Sequence, residues 1–389
     1  MVAAPVNHAG SPADRSGAIV IIGATVLGLG GIRTHLVLLC RLLRRHGVGV
    51  VVFATGAQWD QDTIAGLEAM GVKFRLPPRF TRSSRTLSAL HACLTWPVLV
   101  SRRAVSVYCV CPGYSQLLLQ RVKPGGALSI YHEIVQPAGA QGPAGKCAAG
   151  LDASVANSRK VARMMERIRP AKPVRVVPFL TADAPTMAPP ARRQPGMNEE
   201  LRVVYLGRLV AHKRPDQLVR RWRALIAHPV LAGAHLDIFG FDPTGKMVRE
   251  LRALVTENKL SDRVSICGEY EVKSLPGILA RSDLVVLPSL DEGLPLVLVE
   301  AMQQGVPFVA TAAGGTEELG EDNPDVIVTG TKWEDFEAGL LAMAGKIRSG
   351  AIDSRRLHQW VETRYGYESV SRQWLDCLLN PRSFFGLHD

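Results

Sequence analysis

The pattern of hydrophobic and polar residues along this chain predicts strands that alternate with helices. Two short, nearly continuous apolar segments, 18–24 and 48–56, predict buried strands, and the segment between them has apolar residues at helical spacing. The same order begins again at 201–209, another apolar segment that precedes a helical pattern. Strands that are apolar on both faces and joined by helices are typical of parallel sheets. The sequence therefore predicts an α/β protein with two successive doubly wound sheets.

Further elements are predicted by the same criteria. Strands are expected at 105–111, 127–134, 153–158, 235–240, 263–268, 284–289 and 307–311. Helices are expected at 63–70, 214–227, 244–258, 273–281, 294–304 and 366–379, the last with Val370, Trp374 and Leu378 on one face. In sheets of this kind, ligands bind beyond the carboxyl ends of the strands.

Composition divides the chain into segments. Residues 1–17 are small and polar and predict a loose tail, while 181–200, with four prolines, predicts a linker. These bounds leave an N-terminal Rossmann-like domain at 18–180 and a second domain at 201–365. The helix in 366–389 is expected to return toward the first domain.

Overall composition excludes several classes of protein. The length of 389 residues suits two domains, and 47% hydrophobic with 21% charged residues excludes wholesale disorder. Seven cysteines without a CxxC pair favour neither a disulfide framework nor a zinc module. No apolar run reaches the roughly 18 residues of a membrane span, and 18–31 does not have the form of a signal peptide. We therefore expect the protein in the cytoplasm.

The charge is distributed unevenly between the two halves. Residues 1–180 contain 22 Lys and Arg against 7 Asp and Glu, whereas residues 181–389 contain 24 against 28. Such asymmetry indicates that the first half meets an anionic partner. A nucleic acid, a membrane surface and a phosphorylated substrate all satisfy that condition.

The most specific chemistry lies in the stretch 284–319. Glu292 and Glu300 stand eight residues apart, where a predicted strand gives way to a helix, and Gly293 and Pro295 lie between them. The helical part of that spacing covers about 10 Å, roughly the distance from a ribose to a sugar across a diphosphate. Backbone amides at the helix N-terminus can bind the phosphates. The alternative is that Glu292 caps the helix and Glu300 is solvated.

This stretch resembles the EX7E region of the retaining glycosyltransferases of family GT4. Those enzymes have the GT-B fold, in which two Rossmann-like domains face a central cleft. The resemblance implies that Glu292 contacts the donor sugar and that Glu300 hydrogen-bonds the nucleotide ribose. The segment 207–219 also resembles the family's G-R-L-x-x-x-K segment, which implies that Arg208 and Lys213 bind the donor diphosphate.

The first half resembles the family less strongly. The segment 28–36 is similar to the glycine loop of this fold, although a dinucleotide-binding loop is a rival interpretation. That rival is disfavoured because the glycines do not form G-x-G-x-x-G and no acidic residue ends the second strand. The resemblance also implies a catalytic-site histidine at His132, although Glu133 follows it where the family often has aspartate. The family's Asn-Gly is likewise missing from 176–185.

The predicted site follows from these matches and from 263–270, which also resembles a segment of the family. The expected catalytic residues are His132, Arg208, Lys213 and Glu292. The expected donor-binding residues are Gly30, Gly31, Arg208, Lys213, Glu269, Tyr270, Glu292, Gly293, Leu294, Pro295, Leu296 and Glu300.

Two weaker patterns have competing explanations. The Asp-x-Asp pair in 59–62 could hold a metal in another glycosyltransferase fold, but helix capping explains it, so no metal or other cofactor is expected. In 79–103, five arginines flank an apolar segment with Leu87, Leu90 and Leu94 on one helical face. This pattern fits either an ordinary packed helix or a contact with an anionic membrane surface.

The sequence thus predicts a retaining glycosyltransferase acting in glycan, polysaccharide or glycolipid biosynthesis. The expected partners are a UDP- or GDP-sugar ahead of an ADP-sugar, and a glycan or lipid-linked acceptor. Besides the cytoplasm, a peripheral location of the protein at the inner face of the membrane is consistent with the sequence. A nucleotide-sugar epimerase of the same fold is one alternative. A basic nucleic-acid-binding protein is another, although no nucleic-acid-binding motif is found, so nucleic acid is not expected.

Overall fold

A computed structural model describes residues 18–24, 31–54, 61–75, 104–110, 126–133, 150–182, 187–189 and 192–387. Within these ranges the strands form two sheets. The strands are β1 (Ile19–Ala24), β2 (Gly49–Ala54), β3 (Lys73–Arg75), β4 (Ala104–Val110), β5 (Leu128–Glu133), β6 (Ala153–Ala156), β7 (Val174–Val176), β8 (Arg202–Leu206), β9 (His235–Phe239), β10 (Val264–Gly268), β11 (Leu284–Leu287), β12 (Phe308–Thr311) and β13 (Ile327–Thr329).

The helices alternate with these strands. They are α1 (Gly31–Arg45), α2 (Gln61–Ala69), α3 (Arg159–Ile168), α4 (Pro215–Leu225), α5 (Lys246–Glu257), α6 (Leu275–Arg281), α7 (Leu296–Gln303), α8 (Thr316–Gly320), α9 (Trp333–Arg348), α10 (Ser354–Tyr365), α11 (Tyr367–Leu379) and α12 (Pro381–Phe385). Within the described ranges, each strand and helix predicted from the sequence is present within a few residues of its expected bounds.

Both sheets are doubly wound. The first has the order β3-β2-β1-β4-β5-β6-β7 and the second the order β10-β9-β8-β11-β12-β13. The strand pairs whose register is described are parallel, for example β1 with β2 and β8 with β11. In each sheet the chain returns to the first strand and then builds outward in the other direction, which creates a crevice between β1 and β4 and another between β8 and β11.

The chain folds into two compact units. The described residues of one unit lie within 1–131, 147–153 and 374–389, and those of the other lie within 132–146 and 154–373. In the first unit, Trp374 of α11 packs against His35 and Tyr108, with ring centroids 4.7 and 5.3 Å away. Ser106 of β4 donates a hydrogen bond to the Leu378 carbonyl oxygen at 2.7 Å. A helix that follows both sheets in the sequence thus completes the first unit's core.

The second unit has a large core on both faces of its sheet. Trp222, Phe308 and Phe336 are fully buried there. The described residues of 181–200 contain no helix or strand. They are nevertheless anchored, because the Arg193 guanidinium binds both carboxylate oxygens of Asp283 at 2.6 and 2.7 Å. No helix in the described ranges is long and apolar enough to cross a membrane.

Candidate active site

The crevice between β8 and β11 brings together the loops that carry the strongest sequence motif. The loop after β8 contains Arg208 and Lys213, and the loop after β11 contains Glu292. Because β8 and β11 are parallel neighbours, both loops leave the sheet at the same edge. The order of strands therefore places residues about 80 positions apart in direct reach of each other.

A charged hydrogen-bond cluster joins these loops. The Lys213 ammonium lies 2.7 Å from Oε1 of Glu292, and the Ser289 hydroxyl donates to the same oxygen at 2.7 Å. The side chains of Lys213 and Glu292 are only 13% and 9% exposed. The Thr311 hydroxyl of β12 in turn donates to the Ser289 carbonyl oxygen. Ionised groups bonded to each other with this little solvent contact hold a defined geometry.

Three consecutive residues of the first loop each bind the second loop. The Leu290 amide donates to the His212 carbonyl at 2.7 Å, Lys213 pairs with Glu292, and Arg214 Nε donates to the Pro288 carbonyl at 2.6 Å. Local backbone geometry makes this possible, since 211–213 form a single 3-10 turn and Arg214 has a left-handed conformation with φ 53°.

Glycines bring bare backbone close to the cluster. A Cβ at Gly314, which has φ +56°, would lie 1.7 Å from the Glu292 carbonyl oxygen. A Cβ at Gly240 would lie 1.8 Å from the Gly207 carbonyl oxygen. Both positions require glycine for close approach, and Gly314 also for its backbone conformation. They fix the loops after β9 and β12 against the loops that carry Lys213 and Glu292.

Helix α7 begins four residues after Glu292. Its first residue is Leu296, Pro295 precedes it, and no side chain caps its N-terminal amides. Gly293, Leu294 and Pro295 are buried, whereas Leu296 is half-buried. A helix N-terminus with uncapped amides next to a lysine can bind an anion such as a diphosphate.

Glu300 lies one turn further along α7, close to Tyr270. Glu300 is half-buried, and burial raises the pKa of its carboxyl group to about 7. Burial and the charge of Glu300 together raise the pKa of Tyr270, whose ring packs edge-on against Phe239 with centroids 6.1 Å apart. Glu269, next to Tyr270, is exposed. These groups form a second, less charged part of the same edge of the sheet.

The remaining predicted site residues are Arg208, His132, Gly30 and Gly31. Arg208 is exposed, and its carbonyl accepts a hydrogen bond from the Tyr205 hydroxyl at 3.1 Å. His132 is the penultimate residue of β5, is fully buried, packs edge-on against Phe179, and has its pKa lowered to about 3 by burial. Gly31 is the exposed first residue of α1. Gly30 and the segment 79–103 lie outside the described residues.

Three polar residues of the site were not identified from the sequence. Ser289, Thr311 and Arg214 are part of the described network. Ser289 stands three residues before Glu292 at a strand end, and this spacing could have suggested a contact. Arg214 offered no signal, because an arginine before a proline normally indicates an exposed loop. Within the described residues, no group of three His, Cys, Asp or Glu side chains is arranged to hold a metal ion.

The second half of the chain matches a protein-family model. Residues 200–345 match the model described as Glycosyl transferases group 1. This range includes both loops of the charged cluster and the whole of α7. The match supports glycosyl transfer as the type of reaction, which is what the sequence motifs predict.

Two curated relatives are similar over part of their length. The D-inositol 3-phosphate glycosyltransferase of Xylanimonas cellulosilytica is 30% identical over 248 residues, which are 59% of this chain and 57% of the relative. The phosphatidylinositol N-acetylglucosaminyltransferase GPI3 subunit of Saccharomyces cerevisiae is 24% identical over 186 residues, 48% of this chain and 40% of the relative. The chain thus matches about half of the length of these relatives.

Solved structures confirm the predicted fold. Anabaena HepE, crystallised with UDP and glucose, superposes with a TM-score of 0.72 at 18% identity, covering 93% of this chain and all of HepE. With its two doubly wound parallel sheets, the chain therefore has the GT-B fold.

Proposed function

We propose that this protein transfers a sugar from a nucleoside-diphosphate sugar to an acceptor hydroxyl, with retention of anomeric configuration, as a member of family GT4. The observation that carries this proposal is the buried Lys213–Glu292 pair at the crevice of the second sheet, within the range that matches glycosyltransferases. A lysine, a carboxylate and a helix N-terminus together provide what a sugar diphosphate requires: positive charge for the phosphates and an acceptor for sugar hydroxyls.

The diphosphate is the leaving group of the proposed reaction. The bond between the sugar's anomeric carbon and the diphosphate oxygen breaks, and the diphosphate keeps the electron pair. Lys213, Arg208 and the amides that begin α7 stabilise the negative charge that develops on it. The acceptor oxygen forms the new bond on the face that the diphosphate leaves, and its proton passes to a departing phosphate oxygen.

The two carboxylates have different roles in this scheme. Glu292 orients the sugar, since it is fixed by Lys213 and Ser289 beside the phosphate-binding amides. Glu300 binds the ribose from the far side of those amides, with Tyr270 next to it. Burial lowers the pKa of His132 to about 3, so in this scheme it acts as a neutral imidazole that can donate or accept a hydrogen bond.

Similar proteins suggest which donor and acceptor to test. HepE was crystallised with UDP and glucose, which favours a uridine nucleotide. The two curated relatives are named for transfer to D-inositol 3-phosphate and to phosphatidylinositol. We therefore propose a UDP-sugar donor and an acceptor that carries an inositol or another polyol, either free or on a lipid.

A binding panel followed by an activity panel tests the proposal. We expect UDP, GDP or ADP to raise the melting temperature, since a ligand that binds only the folded state stabilises it. UDP-glucose and UDP-N-acetylglucosamine are then incubated with D-inositol 3-phosphate or phosphatidylinositol vesicles, and the anomer of the product is determined by NMR. An inverted anomer would contradict retention. If the donor sugar is epimerised when no acceptor is present, the protein is a nucleotide-sugar epimerase. If the protein shifts DNA in a gel at physiological salt and binds no nucleotide, it is a nucleic-acid-binding protein.

A further inference from the structure

Arg214 joins three loops at the proposed donor site. Its Nε donates to the Pro288 carbonyl at 2.6 Å, and its Nη1 donates to the Thr331 carbonyl at 3.0 Å. Its guanidinium also lies 5.7 Å from the centre of the Trp333 ring. One side chain from the loop after β8 therefore contacts the loop after β11 and the loop after β13.

This arrangement is energetically expensive for an arginine. Arg214 has φ 53° and ψ 38°, a left-handed conformation that disfavours residues with a Cβ, and it precedes Pro215, where an extended backbone is usual. Burial lowers the pKa of its guanidinium. The third nitrogen, Nη2, is buried and has no hydrogen-bond partner among the described residues. Glycine would avoid the crowding at Cβ and the burial of a charged group.

The contacts of Arg214 are adjacent to those of the charged pair. Arg214 follows Lys213 directly, and Pro288 lies just before Ser289, which holds Glu292. The Arg214–Pro288 bond therefore joins the two backbone segments that carry Lys213 and Ser289. The Leu290–His212 bond links the same two loops but does not reach the loop at Thr331.

We infer that Arg214 is a positioning residue that fixes the Lys213 and Glu292 loops for binding of the nucleoside diphosphate. This inference rests on the proposed function. Arg214 acts through Lys213 and Glu292, because its own side-chain hydrogen bonds go to the carbonyl oxygens of Pro288 and Thr331. It explains why a strained, partly desolvated arginine stands where glycine would avoid the backbone strain. The main effect of the hydrogen bonds of Arg214 is to fix the positions of the loops, and their contribution to the free energy of folding is small.

Three variants test this inference. Arg214→Gly removes both the strain and the contacts. Arg214→Lys keeps the charge, but a single ammonium cannot form the two-nitrogen fork. Lys259→Gly is the matched control, because Lys259 also has φ 53° but is exposed just after α5. Each is measured for melting temperature, for hydrogen exchange of peptides covering 288–292 and 331–333, and for the Kd of UDP, with GDP and ADP as further probes.

We expect Arg214→Gly to speed exchange in both peptides and to weaken diphosphate binding about tenfold, with little change in melting temperature. Arg214→Lys should lie between it and the wild type. Lys259→Gly should raise the melting temperature and leave exchange and affinity unchanged. Unchanged exchange and affinity in Arg214→Gly would overturn the inference, as would a lower melting temperature with unaltered affinity.

These measurements distinguish a failure of the proposed function from a failure of the inference about Arg214. If the wild type binds none of the three nucleotides, donor binding is wrong, and the exchange measurement still decides whether Arg214 holds the two loops. If the wild type binds one and Arg214→Gly binds it equally well, the positioning role is wrong and the proposed function stands.

Discussion

At the scale of single residues, Glu292 accepts hydrogen bonds from both Lys213 and Ser289. Glu292→Gln keeps the shape of the side chain and removes its charge. We expect turnover to fall by about 100-fold, because orientation of the sugar acts at the reacting centre, while the Kd of UDP changes little. Asp291→Asn is the matched control, since Asp291 is the adjacent, exposed carboxylate. Equal effects of both variants on turnover would contradict the assigned role.

Lys213 is expected to act on the diphosphate rather than on the sugar. Lys213→Ala removes the buried positive charge and leaves the Glu292 carboxylate with Ser289 alone. We expect a loss of about 2–4 kcal/mol of transition-state stabilisation and weaker UDP binding, measured as kcat/KM and Kd. Lys246→Ala, at an exposed lysine that begins α5, serves as the control. Wild-type rates in Lys213→Ala would remove this residue from the mechanism.

Glu300 makes stability depend on pH. Its pKa is raised from 4.5 to about 7 in the folded protein, so the folded state holds this proton more tightly than the unfolded state does. The resulting stability is present below pH 4.5 and is lost as the pH rises through about 7. Glu300→Gln should therefore make the free energy of unfolding less dependent on pH across this window, as measured by urea denaturation. Glu257→Gln, at an exposed glutamate of α5, should keep the wild-type dependence.

At the scale of elements, the loop after β9 presses against the loop after β8. Gly240→Ala would place a methyl group 1.8 Å from the Gly207 carbonyl oxygen, so one of the two loops must move. We expect a loss of about 1–3 kcal/mol in the free energy of unfolding, together with weaker UDP binding. Gly277→Ala is the matched control, because Gly277 lies in α6 with open space around it and alanine should stabilise the helix by about 0.5–1 kcal/mol. Intact UDP binding in Gly240→Ala would show that this contact does not shape the site.

Elements were predictable where the apolar pattern is long or continuous. The central strands β1, β8 and β11 and the amphipathic helices α1 and α4 follow from that pattern. The edge strands β3, β7 and β13 were missed because three residues are too few to show a period. The apolar pattern also did not identify five helices, namely α3, α8, α9, α10 and α12.

The site was predictable only as far as motifs extend. Glu292 and Lys213 were found through their spacing and their resemblance to a family, although the bond between them depends on strand order. The left-handed backbone of Arg214 and the close approach of Gly314 to Glu292 result from three-dimensional packing. Sequence patterns carry no signal for such contacts between distant loops.

At the scale of the whole molecule, the charge of the first half suggests an electrostatic attachment to membranes. Each basic residue near an anionic surface contributes about 1 kcal/mol, and the attraction declines over a Debye length of about 8–10 Å. We expect co-sedimentation with anionic but not neutral vesicles, and release at high salt. The expected variant effect is loss of binding when the arginines of 79–103 are replaced by glutamine, namely Arg79, Arg82, Arg85, Arg102 and Arg103.

The control for this experiment uses the second half of the chain. Glutamine replaces an equal number of exposed arginines there, namely Arg220, Arg223, Arg249, Arg252 and Arg281. This variant has the same net charge as the first and should still bind vesicles. Equal loss of binding in both variants, or binding that does not depend on lipid charge, would contradict a specific role for 79–103.

The packing of Trp374 has a consequence for how the protein is made. The strands of the first sheet are synthesised early in translation. Trp374, which packs against His35 and Tyr108, is synthesised only after the whole second sheet. During translation the second unit can complete its core while the first still exposes apolar surface. The nascent first unit is therefore the part of the molecule that most needs protection by a chaperone until α11 emerges.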